Sequence, residues 1–395
     1  MKREMYILLT VGIGLLVLTS TAGAQDEQWL QYKCEREAER IVGFADMRTS
    51  SLEASPVKPP GVKLPQFKAE NPLFAKWSTP MVESGFLWIA LDRTSQQGKY
   101  DRLFIDSNGN GHLDDEEAQV PYQTDQYYTR FGPVKVVFEA QDGPVAYHLN
   151  FRSFDYESNR RLLVSSGGWY EGEVAAAGRK KYCVLIDQNA NGTFYDSALD
   201  PGKCDRIRVG EKGEQNSRFA GRYIEIDGAL YQMEIARDGA FVKLAKAEGV
   251  KYGSVRMPET ITEFSAGGPN GLFTFKPDKG AGSLPVGRYR VYTWTIDRKD
   301  EKGKPWQLRG TFFSAKGNFE VTEGAETALE IGEPVTGTVS ARLNGDNYEF
   351  SKGLKGPMGE YVMLTSGGQD VRNLWKMKAA NKEGTYEKLY PIPDQ

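Results

Sequence analysis

From residue 106 to residue 117 the chain reads Asp-Ser-Asn-Gly-Asn-Gly-His-Leu-Asp-Asp-Glu-Glu, with oxygen-bearing side chains at places one, three, five, nine and twelve and glycine at the sixth. A hard dication such as Ca²⁺ takes six to eight oxygen ligands. A chain wraps around it only if alternate side chains point inward and one residue turns sharply where a Cβ would obstruct. Gly111 permits that turn. Asp106, Asp114, Asp115, Glu116 and Glu117 crowd the window with no Lys or Arg among them, so they repel one another unless a cation neutralises them.

The whole twelve-residue stretch resembles the calcium-binding loop of the EF-hand family, including the apolar Leu113 at the eighth position. The resemblance implies side-chain ligands at Asp106, Asn108 and Asn110, a backbone carbonyl from His112, Asp114 acting directly or through water, and Glu117 as the bidentate closing ligand. One departure is plain: KYDRLFID before the loop reads as a strand, where the family has a helix. Only the loop is shared, so the helix-opening switch of calcium sensors is not implied, and a structural, extracellular calcium loop with affinity of about 10⁻⁴–10⁻³ M is expected.

A second loop begins 81 positions later, at Asp187. Asp187, Asn189, Asn191 and Gly192 keep places one, three, five and six, and Thr193 stands at seven. Place nine is Tyr195 and place twelve is Ala198, so the closing carboxylate is Asp196 or Asp200, or else the loop is an Asn-Gly turn that has lost its metal. The second candidate set is therefore Asp187, Asn189, Asn191, Thr193 and Asp196.

The elements that carry these loops also repeat. Residues 100–111 (YDRLFIDSNGNG) align without gaps on 181–192 (KYCVLIDQNANG), Arg130-Phe131 is echoed by Arg218-Phe219, and VVFEAQDGPVAYHLNF is echoed by YIEIDGALYQMEI, pairing Gly143 with Gly228 and Tyr147 with Tyr231. The order strand, acidic loop, Arg-Phe, strand, Asp-Gly turn, strand thus occurs twice, which predicts a duplicated antiparallel β unit over residues 66–160 and 161–256.

The flanking segments differ. Leu30, Cys34, Ala38 and Ile41 have helical spacing, and Pro56, Pro59, Pro60 and Pro65 follow, so residues 25–65 are expected to form a leader helix and a stiff Pro-rich linker. Residues 257–395 hold short strand-like runs at regular spacing, which predicts an immunoglobulin-like β-sandwich without the cysteine pair of antibody domains. The fold class expected is mainly β, in keeping with 43 Gly and 19 Pro.

Lys2 and Arg3, the apolar run from Tyr6 to Leu18 and Ala22-Gly23-Ala24 read as a signal peptide over residues 1–24, hence a secreted or periplasmic chain with no stable membrane span after cleavage. In such a compartment Cys183 and Cys204 either join as a disulfide or remain separate thiols, with Cys34 left over. With 50 Lys+Arg against 53 Asp+Glu, nucleic acid is not an expected partner. His112 and His148 are the only histidines, which excludes a multi-histidine metal site, and His148 in AYHLNF reads as a packed strand residue. No P-loop, Gly-x-Ser-x-Gly or His-Glu-x-x-His occurs. The expectation is a non-catalytic, calcium-binding structural or binding protein, with an extracellular polysaccharide or an envelope protein as partner. The alternative is a carbohydrate-binding protein, or a hydrolase using a carboxylate pair in a cleft. Trp294 and Trp306, with Trp169-Tyr170 at the start of the second repeat, are the candidate sugar-stacking residues, but core packing is the reading favoured for such tryptophans.

Overall fold

The computed structural model describes residues 27–140, 143–156, 159–345, 347–371, 376–380 and 387–391. The signal segment over 1–24 lies outside them. The chain is mainly β, built as several antiparallel sheets; the described residues hold one short helix, Ala38–Val42, and two single 3₁₀ turns. Among the described residues no helix is long and apolar enough to cross a membrane.

Four sheets surround the main core. Strands Leu73–Ser78, Phe86–Asp92 and Arg102–Ile105 form one, and its last strand runs into the first acidic loop. A five-stranded sheet follows, centred on the long pair Tyr128–Phe138 and Val145–Tyr156. In the second unit, Gly168–Ala176, Arg179–Ile186 and Arg206–Gly210 are neighbours in one sheet, and Tyr223–Ile226, Ala229–Ile235 and Phe241–Lys246 in another. Period-two alternation, shifted once by the irregularity between Phe131 and Val134, decides which faces turn inward: Phe131, Val136 and Phe138 of the first unit and Leu185, Val242 and Leu244 of the second share one continuous core. The hairpin turn Asp227-Gly228 has both residues at positive φ (51° and 76°), the geometry that matches the right-handed strand twist and that Asp-Gly adopts readily.

The segment predicted as a leader helix folds differently. Gln28–Trp29 pairs with Phe241–Lys246, and Gln31–Cys34 pairs with Gly168–Ala176, setting Tyr32 opposite Tyr170; only Ala38–Val42 is helical. Helical spacing loses here because the strand conformation buries Leu30 in the main core and completes two sheet edges. Gly168 makes the approach possible, since a Cβ there would stand 2.2 Å from the Tyr32 hydroxyl. The Pro-rich tract is likewise not a free spacer. Val62, Leu64 and Phe67 pack against Phe74, Phe104 and Leu113, and Lys63 bonds to the first loop through both its N–H and its carbonyl.

Beyond residue 250 a separate core forms. Strand Tyr252–Arg256, which the sequence grouped with the second repeat, pairs antiparallel with Ala281–Pro285 and parallel with Glu326–Ala328. Val255 and Leu284 of this small sheet pack with Phe264, Ala266, Val291 and Trp294 of a larger sheet, giving a two-layer β-sandwich.

The cysteines are free. Cys183 points into the main core, whereas Cys204 lies in a small cluster with Phe219 and Leu272, so the two thiols that the sequence left as a candidate disulfide occupy different clusters.

Candidate functional site: two matched acidic loops

The first loop leaves strand Arg102–Ile105 at Asp106, whose carboxylate is buried at 2% exposure because it continues the inward face of the strand. Its Oδ2 accepts from the N–H of Gly111 at 2.9 Å, five residues on, which closes the loop into a ring; Gly111 reaches this position at φ 82°. The Asn110 Oδ1 accepts from the His112 N–H at 2.7 Å, tightening the next turn. The side-chain amides of Asn108 and Asn110 donate to one oxygen of Asp115, at 3.1 and 2.8 Å. Glu116 then braces the loop start, accepting from the N–H of Ser107 at 2.5 Å and from its hydroxyl at 2.8 Å.

The second loop repeats this arrangement at positions shifted by 81. Asp187 Oδ2 accepts from the Gly192 N–H at 2.7 Å, Asn191 Oδ1 accepts from the Thr193 N–H at 2.9 Å, and the amides of Asn189 and Asn191 donate to Asp196 Oδ2 at 2.9 and 2.6 Å. The bracing role passes to Asp205, which accepts from the N–H groups of Gln188 and Asp196 at 3.1 and 2.8 Å.

The predicted residues therefore divide. Asp106, Asn108 and Asn110 converge, as do Asp187, Asn189, Asn191 and Asp196. Thr193 is fully buried and donates its hydroxyl to Asn191. His112 turns its ring nitrogen Nδ1 toward the Lys63 N–H, while Asp114 and Glu117 are exposed. Sequence alignment to a twelve-place loop passed over Asp115, Glu116 and Asp205 as site residues. Asp115 carried a signal, because it aligns with Asp196 under the same offset of 81. Asp205 carried none, since strand pairing alone returns it to the loop.

Electrostatically both loops are short of positive charge. Burial raises the carboxyls of Asp106 and Glu116 above their usual range, while the Asn108 amide lowers that of Asp115. In the second loop the effect is stronger: Asp187 and Asp205 are fully buried beside one another, with Asp196 close by, and burial holds both carboxyls well above the ordinary range. The ion pairs formed by the described residues leave out Asp187, Asp196 and Asp205. Buried carboxylates without a positive partner are costly, so such a cluster is protonated or meets a cation. Asp106 Oδ1 in the first loop, and Gln188 Oε1 and Asn189 Oδ1 in the second, are buried with no hydrogen-bond partner. Among the described residues no three His, Cys, Asp or Glu side chains converge as a self-sufficient metal cluster; the oxygens here are carboxylate and amide in mixture, the donor set that suits Ca²⁺ rather than Zn²⁺.

Elsewhere the tryptophans divide between core and surface. Trp294 is fully buried and donates to Glu360 at 2.9 Å, as core packing requires. Trp306 borders a surface hollow of about 430 Å³ together with Asp297, Lys299, Gln307 and Thr365. Other buried carboxylates are accounted for locally: Asp92 by Arg102 and two backbone N–H groups, Asp46 by Arg208, Glu39 by Arg152. His148 stacks on Tyr32 at 5.6 Å within its strand, a packed residue. No family model matches the chain, and no curated protein and no solved structure matches it either.

Proposed function

We propose that this chain is an extracytoplasmic calcium-binding protein, non-catalytic, in which Ca²⁺ fastens two β-sheet loops. The observation that carries the reading is the recurrence, 81 positions apart, of one constellation: a buried carboxylate at the loop start bonded to a glycine N–H, and two Asn amides converging on a second carboxylate. An isolated Asn-Gly turn needs neither carboxylate. The amide N–H groups supply the partial positive charge that Asp115 and Asp196 otherwise lack. A cation supplies more, and the amide oxygens are then available as ligands. Asp106, Asn108, Asn110 and Asp115 would hold the first ion, and Asp187, Asn189, Asn191 and Asp196 the second.

The role is structural. An ion bound only by the folded state stabilises it by RT ln(1 + [L]/Kd), about 2.7 kcal/mol at a hundred times Kd. A hydrolase is less well supported: the neighbouring carboxylates Asp187 and Asp205 are both fully buried at the second loop rather than facing a cleft. The hollow at Trp306 supports a polysaccharide as the partner class, since it sets an aromatic ring beside hydroxyl-binding side chains.

The test is calcium titration calorimetry on the full chain and on Asp106→Ala and Asp187→Ala, with melting curves in calcium and in chelator. Two sites, each removed by its own substitution and each raising the melting temperature, are expected. No heat up to several millimolar calcium, with melting indifferent to chelator, would overturn the reading.

A further inference from the structure

The two loops differ in what surrounds them. The first is largely solvent-facing, with Asn108, Gly109 and Asn110 exposed. The second is enclosed, and besides Asp205, Arg237 and Tyr170 of its own unit, part of its wall comes from outside that unit. The Tyr147 hydroxyl, on strand Val145–Tyr156 of the first unit, donates to Asp187 Oδ2 at 2.8 Å. The Trp77 indole, on strand Leu73–Ser78, donates to the Ala190 carbonyl at 2.6 Å and stacks on Tyr147 at 5.8 Å with only 8° between ring planes. The amino-terminal segment closes a third side: Arg48 N–H bonds to the Gln188 carbonyl at 3.1 Å, and the Gln188 side chain donates to the Ala45 carbonyl at 3.2 Å. Asp187, Ala190, Thr193 and Phe194 are each at most 2% exposed as a result.

We infer that the second loop is a cation-dependent latch between the two β units, with Tyr147 as the positioning residue that orients Asp187 toward the ion. The inference rests on the calcium reading above and goes beyond it, because it makes ion binding and docking of the first unit a single coupled equilibrium. Two further observations favour an ion at this enclosed place. Asp187, Asp196 and Asp205 meet no Lys, Arg or His among the described residues, and Asn189 Oδ1 is buried without a partner. Whatever holds Asp187 in its ligating orientation raises affinity, as outer-shell residues do at metal sites. By linkage, an ion that Tyr147 helps to hold must in turn hold Tyr147 and its strand. Among the described residues the first loop shows no hydrogen bond to the second unit; its bonds to other segments are Val137 N–H to the Ser107 carbonyl and Asp106 N–H to the Trp88 carbonyl, both within the first unit, and those at Lys63 in the Pro-rich tract before it.

The experiment is amide hydrogen exchange on the full chain in calcium and in chelator, combined with calcium calorimetry. Calcium is expected to slow exchange across Val145–Phe151 by tenfold or more. That protection persists in Asp106→Asn and disappears in Asp187→Asn, while Tyr147→Phe, which keeps the ring packing, weakens the second site by about 10–100-fold and leaves the first unchanged. If two calcium sites titrate normally but exchange in Val145–Phe151 ignores occupancy of the second, or Tyr147→Phe leaves both affinities intact, the latch is wrong and the calcium reading survives. If the wild-type chain takes up no calcium, both fall. Should Tyr147→Phe fold poorly, the comparison of Asp187→Asn with Asp106→Asn decides alone.

Discussion

Asp115 and Asp196 stand 81 positions apart and hold the same place, each receiving the side-chain amides of the third and fifth residues of its loop. Both are tenth from the loop start, not ninth or twelfth. Asp115→Ala is therefore expected to weaken calcium binding by the first loop at least tenfold, with Asp114→Ala and Glu117→Ala each within about threefold of wild type. Calorimetry on the three variants checks this. A larger loss at Glu117 than at Asp115 would restore the twelve-place geometry of the EF-hand loop.

The sixth residue is glycine in both loops, but the two glycines are not equally replaceable. Gly111 sits at φ 82° with open space where a Cβ would go, whereas at Gly192, φ 93°, a Cβ would meet Met81, Phe138 and Thr79 at 3.2–3.3 Å. Gly111→Ala should cost about 1–3 kcal/mol from the left-handed conformation alone. Gly192→Ala should cost a further ~1–3 kcal/mol for crowding in the core. Urea unfolding of both variants in chelator, where no ion contributes, gives the comparison. Equal costs would mean the second loop is more loosely packed than described.

His148 supplies a pH dependence. It is half buried, its Nδ1 has no partner, and Lys135 lies directly opposite on the neighbouring strand; burial, then Lys135, lowers its pKa below the ordinary 6.5. The unfolded chain therefore binds a proton that the folded chain resists. The stability contributed by neutral His148 is present above pH 6.5 and is lost as pH falls below it through the lowered folded value. His148→Gln should flatten that limb of the stability curve relative to wild type between pH 7 and 5. An unchanged slope in the variant would remove His148 as its source.

The thiols should behave as buried and unlinked. Burial pushes Cys183 up to about 12 and Cys204 up to about 11. Reductant is expected to leave the melting temperature unchanged, and the denatured chain should titrate three thiols. In the native chain Cys183 and Cys204 should react with a thiol reagent far more slowly than an exposed cysteine, because little thiolate is present. A reductant-sensitive melting temperature would show that a bridge forms.

Much of this was readable from local pattern. The β class, the run of short strands and the positions of both loops follow from period-two alternation and from Asp, Asn and Gly at fixed offsets, all local signals. What escaped the sequence were relations between distant parts. Leu30 to Ile41 carried a helical period, yet strand pairing with Gly168–Ala176 and Phe241–Lys246 prevailed, and nothing in residues 27–42 announces those partners. Likewise Asp205 and Tyr147 reach the second loop only through sheet register and core packing. The Cys183 and Cys204 positions looked suited to a bridge because sequence distance hides that one side chain enters the core and the other a separate cluster.

The weaving of Gln28–Trp29 and Gln31–Cys34 into the second unit also sets a constraint in time. These residues leave the ribosome before their strand partners, which lie more than a hundred residues downstream, so each pairing closes a long loop before any contact rewards it. Folding rates fall as contacts become less local, and the second unit keeps two bare sheet edges until the amino-terminal strands arrive. The completed protein should accordingly fold late and slowly, its nascent form the state most exposed to aggregation.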